Sequence, residues 1–371
     1  MALGDRRDAD IWTADQALGG GRADKAAPLT HADPGRNRAT PARSGTMDVG
    51  LPAAAGHDSS LSIKTMSDDM GDLLSLDLTE ITNALVRPGG LWREVRVVAE
   101  TGSTNADLLA QAGAGAAEGL VLVAEAQTAA RGRQGRRWTS APRAALTFSV
   151  LLRPRGVPPA LLGWVPLLAG VAAAAAVRAV TGVEATLKWP NDVLADGGKL
   201  GGILAERSGP AVVVGIGINV WQDRAGLPGD AATSLLLAAP AGGAARDGDD
   251  STARTEDGST ARGGDGSTAP VAGLRERLLA ELLSVLSHWY LTWRDQASPG
   301  DPDTCGLRRE YTRRCTTLGR EVVVTMPGAE AISGTAAGVD RGGRLEVQTA
   351  HGRVSVTAGD VVHVRPHDPG K

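Results

Sequence analysis

The chain has 371 residues, of which 42% are hydrophobic and 22% charged, with a formal net charge of −3. These values fit a soluble globular protein of two or three domains. They exclude a uniformly basic protein built to coat nucleic acid or an acidic membrane. Residues 1 to 73 are rich in Ala, Gly, Pro, Asp and Arg and show no sustained period of 2 or 3.6, so a disordered extension is expected. Its first 46 residues hold seven Lys/Arg and six Asp/Glu, so it is not a basic tail. It also lacks the apolar core of a signal peptide. Order is expected from Leu74. Residues 77–86 read as a helix capped by Asp77 or Thr79. Residues 93–100 read as a strand, 103–112 as a helix after Ser-Thr-Asn, and 120–126 as a strand. A Gly/Arg loop spans 127–137, and 145–152 is a strand.

An Ala-rich helix is predicted over 160–181. Its charge-free run from Ala160 to Val177 meets the length rule for a membrane span. Pro166, the Ala and Gly content and the adjacent Arg178 argue instead for a buried helix. Residues 186–195 read as strand, proline turn, strand. Residues 201–206 and 211–220 are two more strands, the second apolar enough to be central and covered on both faces. Residues 241–270 carry three imperfect copies of a polar unit ("DDSTAR", "DGSTAR", "DGSTAP"), expected to be a solvated insertion. A helix over 273–293 follows, with Leu274, Leu278, Leu282 and Leu286 on one stripe. From Leu318 to Arg365, short strands and Gly turns predict a small antiparallel barrel or sandwich.

Residues 91–240 contain neither His nor Cys. No Ser-His-Asp or Cys-His mechanism can be assembled there, nor a zinc site. The two cysteines of the chain, Cys305 and Cys315, match no metal or redox spacing, and a reducing cytoplasm is the simplest setting. Chemistry in this unit must rest on positioning and on cations that stabilise negative charge. Four motifs supply candidates. The loop around Arg131, Gly132, Arg133, Gly135, Arg136 and Arg137 offers guanidinium forks on a pliable backbone; a solvated basic loop or a nucleic-acid contact has the same composition. Lys188 and Lys199 each stand beside a turn, Lys199 ahead of Gly201-Gly202, where a surface hairpin lysine is the plain alternative. "GIGIN" (215–219) places glycines in an apolar strand, which suggests a ligand or another backbone packed close. "GSTN" (102–105) is a helix cap or an exposed hydroxyl pair.

Together, "ETGSTN", "AEAQTAARGRQGRRW", "LKWPNDV", "KLGGILAE" and "VGIGINV" resemble the biotin protein ligase family in order and spacing, over about residues 93–365. Ala130 departs from the family's usual glycine. The resemblance implies an α+β fold: a mixed central sheet with flanking helices, of the class II synthetase-like, biotin–lipoate ligase kind, plus a small C-terminal SH3-like β-barrel. It divides the chain into 1–73, a catalytic domain 74–300 interrupted at 241–270, and a C-terminal domain 316–366. It implies ATP-dependent joining of biotin to a lysine of the biotin carboxyl carrier domain of an acyl-CoA carboxylase, through biotinyl-5′-AMP. Ser103, Thr104, Asn105, Gln127, Arg131, Gly132, Arg133, Lys199, Gly201 and Gly202 would bind biotin. Arg136, Trp138, Lys188, Asn191 and Asn219 would face ATP. Lys199, Arg131 and Arg133 would be catalytic, and Mg²⁺ would accompany ATP without a protein metal site. The resemblance implies a cytoplasmic monomer or homodimer without membrane or DNA contacts. The rival readings are a lipoate-type ligase and a biotin-responsive repressor; before Val95 the sequence offers one short helix and no basic recognition helix.

Overall fold

The computed structural model describes residues 76–238, 273–326 and 328–364. The expected extension 1–73 and the repeat segment 241–270 lie outside the described residues. Alternating or continuous apolar runs mark seven strands: β1 (Glu94–Thr101), β2 (Leu120–Gln127), β3 (Ala145–Leu152), β4 (Ala185–Lys188), β5 (Asp192–Ala195), β6 (Gly198–Ser208) and β7 (Ala211–Asn219). They form one sheet in the order β1-β2-β3-β7-β6-β5-β4. Only β1 and β2 run parallel; every other neighbouring pair is antiparallel. The nearly all-apolar β7 is the middle strand, as its sequence predicts.

The two faces carry two cores. Val212, Val214 and Ile216 of β7 pack into the larger one, and Ala211 and Val213 into the smaller. The larger core is filled by α3 (Trp164–Thr181) and α5 (Leu274–Arg294). Leu278, Leu282 and Leu286 of α5 are fully buried, each contributing roughly 1.5–3 kcal/mol relative to exposure. Small residues let α3 lie close to the sheet: a Cβ on Gly170 would stand 3.3 Å from a Leu187 methyl. α3 is long and apolar enough to cross a membrane, but it is mostly buried inside the protein. The smaller core is covered by α2 (Thr104–Gly113) through Leu108, Leu109 and Ala112.

Two local expectations need correction. The first helix, α1, runs Thr79–Leu85 with Leu78 at its N-cap position, while Asp77 accepts the Thr79 N–H at 2.9 Å. α3 starts at Trp164, after a 3₁₀ turn at Pro159–Leu161. Pro166 therefore falls in the first turn, where its missing N–H breaks no helical bond. The segment 301–315, to which the sequence assigned no element, contains α6 (Leu307–Arg314). Only Leu307 and Tyr311 of α6 are buried, so its apolar stripe is too thin to detect. A short helix, α4 (Leu235–Ala238), was also not foreseen.

The C-terminal strands are β8 (Glu321–Thr325), β9 (Ile332–Val339), β10 (Leu345–Thr349), β11 (Gly352–Val356) and β12 (Asp360–His363). They form an antiparallel sheet ordered β11-β10-β9-β8-β12. Among the described residues no pairing joins β11 to β12, so the expected barrel is a five-stranded sheet without closing hydrogen bonds. Buried indoles bolt the two sheets together. Trp189 donates its ring N–H to Gly343 O at 3.0 Å, and Trp164 donates to Arg341 O at 2.8 Å. The Trp189 backbone N–H donates to Thr317 Oγ1 at 3.0 Å, and Leu187 O accepts the Thr316 N–H at 2.7 Å.

Candidate active site

A cavity of about 430 Å³ opens on the α2 face of the seven-stranded sheet, a size typical of small-molecule sites. Its floor is a buried polar network. The β3 strand reads apolar except for Thr147 and Ser149, and both face α2. Ser149 donates to Asn105 Oδ1 at 2.6 Å, and the Thr104 hydroxyl lies 2.7 Å from Ser149 Oγ. Asn105 Nδ2 in turn donates to Glu206 Oε2 at 2.6 Å and Leu204 O at 3.2 Å. The Thr104 N–H donates to Gln127 Oε1 at 2.8 Å. Ser103 caps α2 by accepting the Ala106 N–H at 3.5 Å, so the capping reading of that serine holds alongside its place on the cavity wall.

The glycines of "GIGIN" make room for side chains rather than for another backbone. A Cβ on Gly215 would fall 2.4 Å from Asn105 Oδ1, and one on Gly217 would fall 2.7 Å from the Trp138 ring. Trp138 therefore packs against Gly217 of β7, with Gly202 also in reach of its ring. Its indole N–H is buried and has no hydrogen-bond partner. Trp92, Trp164, Trp189 and Trp293 each donate theirs to a carbonyl. An unpaired buried donor costs roughly 1–3 kcal/mol, so the Trp138 N–H is a place where a bound acceptor would gain.

The Gly/Arg segment forms the lid. Arg131 and Arg137 face each other in an antiparallel bridge, and the Gly132 N–H donates to Arg136 O at 2.6 Å. The turn passes through Gln134 (φ 55°) and Gly135 (φ 72°), both left-handed. Ala130 is not in the left-handed region, so the Cβ that replaces the family's glycine brings no backbone strain. Arg131, Arg136 and Arg137 are exposed, whereas Arg133 is half-buried and donates to Asn191 Oδ1 at 3.1 Å. Burial pulls the Arg133 guanidinium below its ordinary value; Asp360 and Asp192 push it back up, and Arg136 lowers it. Arg136 also pairs with Asp360 of β12, which closes the cavity from the C-terminal sheet.

Lys199 stands on β6, with Nζ 2.6 Å from Asp192 Oδ1. Lys188 and Asn191 flank Asp192 in the "KWPND" turn, whose Trp189–Pro190 bond is cis. Every site residue expected from sequence lines this one cavity except Gly201. Gly201 serves the sheet instead: a Cβ there would collide with Gly217 O at 2.5 Å. Asp192, Asp360, Ser149 and Glu206 were not singled out by sequence. Asp192 sits inside a recognised motif and a lone Ser in an apolar strand is a visible signal, whereas nothing local marks Asp360. Among the described residues no His or Cys lines the cavity. His363 is nearby, half-buried, and held below its usual value by burial and by Lys188 and Arg320. Among the described residues no group of three or more His, Cys, Asp or Glu is placed to hold a metal.

Residues 100–223 match the Biotin/lipoate A/B protein ligase family, and 317–364 match the Biotin protein ligase C terminal domain. The biotin–[acetyl-CoA-carboxylase] ligase of Mycobacterium tuberculosis is 42% identical over 294 residues, covering 78% of this chain and 96% of that protein. The ligase of the same name from Paracoccus denitrificans is 31% identical, covering 71% of this chain and 98% of that protein. The biotin protein ligase of Aquifex aeolicus, solved with biotin and ATP, superposes with a TM-score of 0.53 at 26% identity. That alignment covers 74% of this chain and all of that one. The sheet, the cavity and these likenesses lead to one conclusion: the chain belongs to the biotin protein ligase family.

Proposed function

We propose that this protein activates biotin with ATP and transfers it to a lysine of the biotin carboxyl carrier domain of an acyl-CoA carboxylase. The observation that carries the reading is the juxtaposition, in one cavity free of His and Cys, of Lys199 with an arginine lid over a hydrogen-bonding floor. Such a site offers no base of the histidine kind to activate a side-chain nucleophile but is suited to bringing two anions together. The biotin carboxylate attacks the α-phosphorus of ATP; the bond to pyrophosphate breaks, giving biotinyl-5′-AMP. The carrier amine then attacks the acyl carbon and AMP leaves.

Lys199 and the lid arginines Arg131 and Arg133 lower the repulsion between carboxylate and phosphate and stabilise the charge that grows at phosphorus. Ser103, Thr104, Asn105, Gln127, Gly132 and Gly202 hold the polar end of biotin. Arg136, Trp138, Lys188, Asn191 and Asn219 face the nucleotide. Both cavity carboxylates are already in ion pairs, Asp192 with Lys199 and Asp360 with Arg136. Mg²⁺ therefore enters as the Mg-ATP substrate, bound through phosphate oxygens and water. The seven-stranded unit is the catalytic domain, and the C-terminal sheet contributes one wall. The setting is cytoplasmic, and the protein acts as a monomer or homodimer without DNA contacts.

The test is intact mass spectrometry of a carrier domain after incubation with the protein, biotin and Mg-ATP. A gain of one biotinyl group on one lysine is expected. No gain with biotin but a gain with lipoate would replace this reading by the lipoate-ligase one.

A further inference from the structure

Lys199 is gripped in an unusual way. The β6–β7 ladder begins only at Gly201 opposite Ile218. At Lys199 the place of β7 is taken by residues 231–233: the Lys199 N–H donates to Ala231 O at 2.7 Å, and Lys199 O accepts the Thr233 N–H at 2.9 Å. Gly198 permits this approach, since a Cβ there would stand 2.9 Å from Thr233 Cβ. The segment is not part of a regular strand, so something else must hold it.

That tether is a knot of buried polar side chains. Asn219, Gln222, Thr233 and Ser234 are at most 5% exposed. Asn219 Nδ2 donates to Thr233 O at 2.9 Å, and Gln222 Nε2 donates to Asn219 Oδ1 at 3.1 Å. Ser234 Oγ donates to Gln222 O at 2.6 Å. Gln222 thereby holds the Asn219 amide from the side opposite Thr233. The Thr233 carbonyl can only accept, so Asn219 turns its nitrogen to it and its oxygen to Gln222, and Thr233 is the residue whose N–H grips Lys199 O. Gln222 Oε1 is itself buried without a partner.

We propose that Gln222 is a positioning residue for the adenylation step, acting through Asn219 and Thr233 on the backbone of Lys199. The inference rests on the role assigned to Lys199 above. Gln222→Met keeps the length of the side chain and removes the amide. Single-turnover formation of biotinyl-5′-AMP should fall roughly 10-fold, below the ~10²-fold that a full 1 Å misplacement can cost, with the KM for biotin within about twofold of wild type. In a Lys199→Ala background the same substitution should cause no further loss, the non-additivity expected of residues acting as one unit. Gln222→Glu preserves size and polarity but, ionised, cannot donate to Asn219; it should reproduce the loss if the Met variant is too unstable to assay. An equal loss in both backgrounds would overturn the proposal. So would a lowered melting temperature with a wild-type rate per active site. If the wild-type protein makes no biotinyl-5′-AMP at all, the functional reading fails, and this inference with it.

Discussion

The floor of the cavity and the lid above it are held by different physics. The floor is a continuous chain of hydrogen bonds, from Gln127 and Thr104 through Ser149 and Asn105 to Glu206, and Asn105, Ser149 and Glu206 are all buried. Inside a low-dielectric core such a network is rigid, and each missing partner is costly. The lid turns through a left-handed Gln134 and rests on Arg133–Asn191 and Arg136–Asp360 contacts, the second largely exposed. Exposed ion pairs contribute only about 0–1 kcal/mol. The floor can therefore select a ligand by fixed geometry before binding, whereas the lid can be reorganised by the ligand's own charge.

The largest effect should come from the cation shared between these regions. Lys199→Ala is expected to slow adenylate formation at least ~100-fold, the scale for losing one preorganised charge-stabilising donor. Near-normal single-turnover rates would remove Lys199 from the chemistry. Breaking the floor should register first as instability. Glu206→Ala leaves Asn105 Nδ2 with only Leu204 O, and a loss of about 1–3 kcal/mol in urea unfolding is expected. An unchanged unfolding midpoint would mean that the floor is not the rigid element. Gly217→Ala probes the seam between the two, because its methyl would occupy space held by the Trp138 ring. The ring must lift off β7, and overpacking of this kind costs about 1–3 kcal/mol. The KM for ATP should rise roughly tenfold, in proportion to that cost, while the KM for biotin changes little. An equal rise in both would place Trp138 away from the nucleotide.

The same contrast explains what was legible in the sequence. The strands of the floor announce themselves because alternation and apolar runs have a period. β3 and β7 follow directly from "ALTFSVLL" and "AVVVGIGINV". The residues that converge on the cavity were legible as motifs because local chemistry concentrates there: four arginines among glycines, a lysine before a glycine pair. Long-range partners were not. Asp360 is 224 positions from Arg136, and no local pattern reports that a C-terminal strand will meet the lid. Gly201 shows the converse error. A glycine pair beside a lysine reads as one feature, but strand alternation turns Gly202 to the cavity and Gly201 to the other face, where Gly217 O and Ile218 leave no room for a Cβ. α6 was missed because two buried residues in eight give helical periodicity too little to work with.

The smallest expected effect is the one most diagnostic of the lid. Asp360→Asn preserves shape and removes the charge that pairs with Arg136 and that raises the Arg133 guanidinium. Without ligand and at low salt, cleavage by trypsin within 131–137 should increase by a few-fold at most, matching an exposed pair worth under ~1 kcal/mol. At about 1 M salt the Debye length falls to ~3 Å, and wild type and variant should become indistinguishable. Biotin with Mg-ATP should protect both, since ligand phosphates supply the lid arginines with stronger, bidentate partners than Asp360. If the difference between wild type and variant survives high salt, the lid is held by packing. Floor and lid would then differ in position only and not in the forces that hold them.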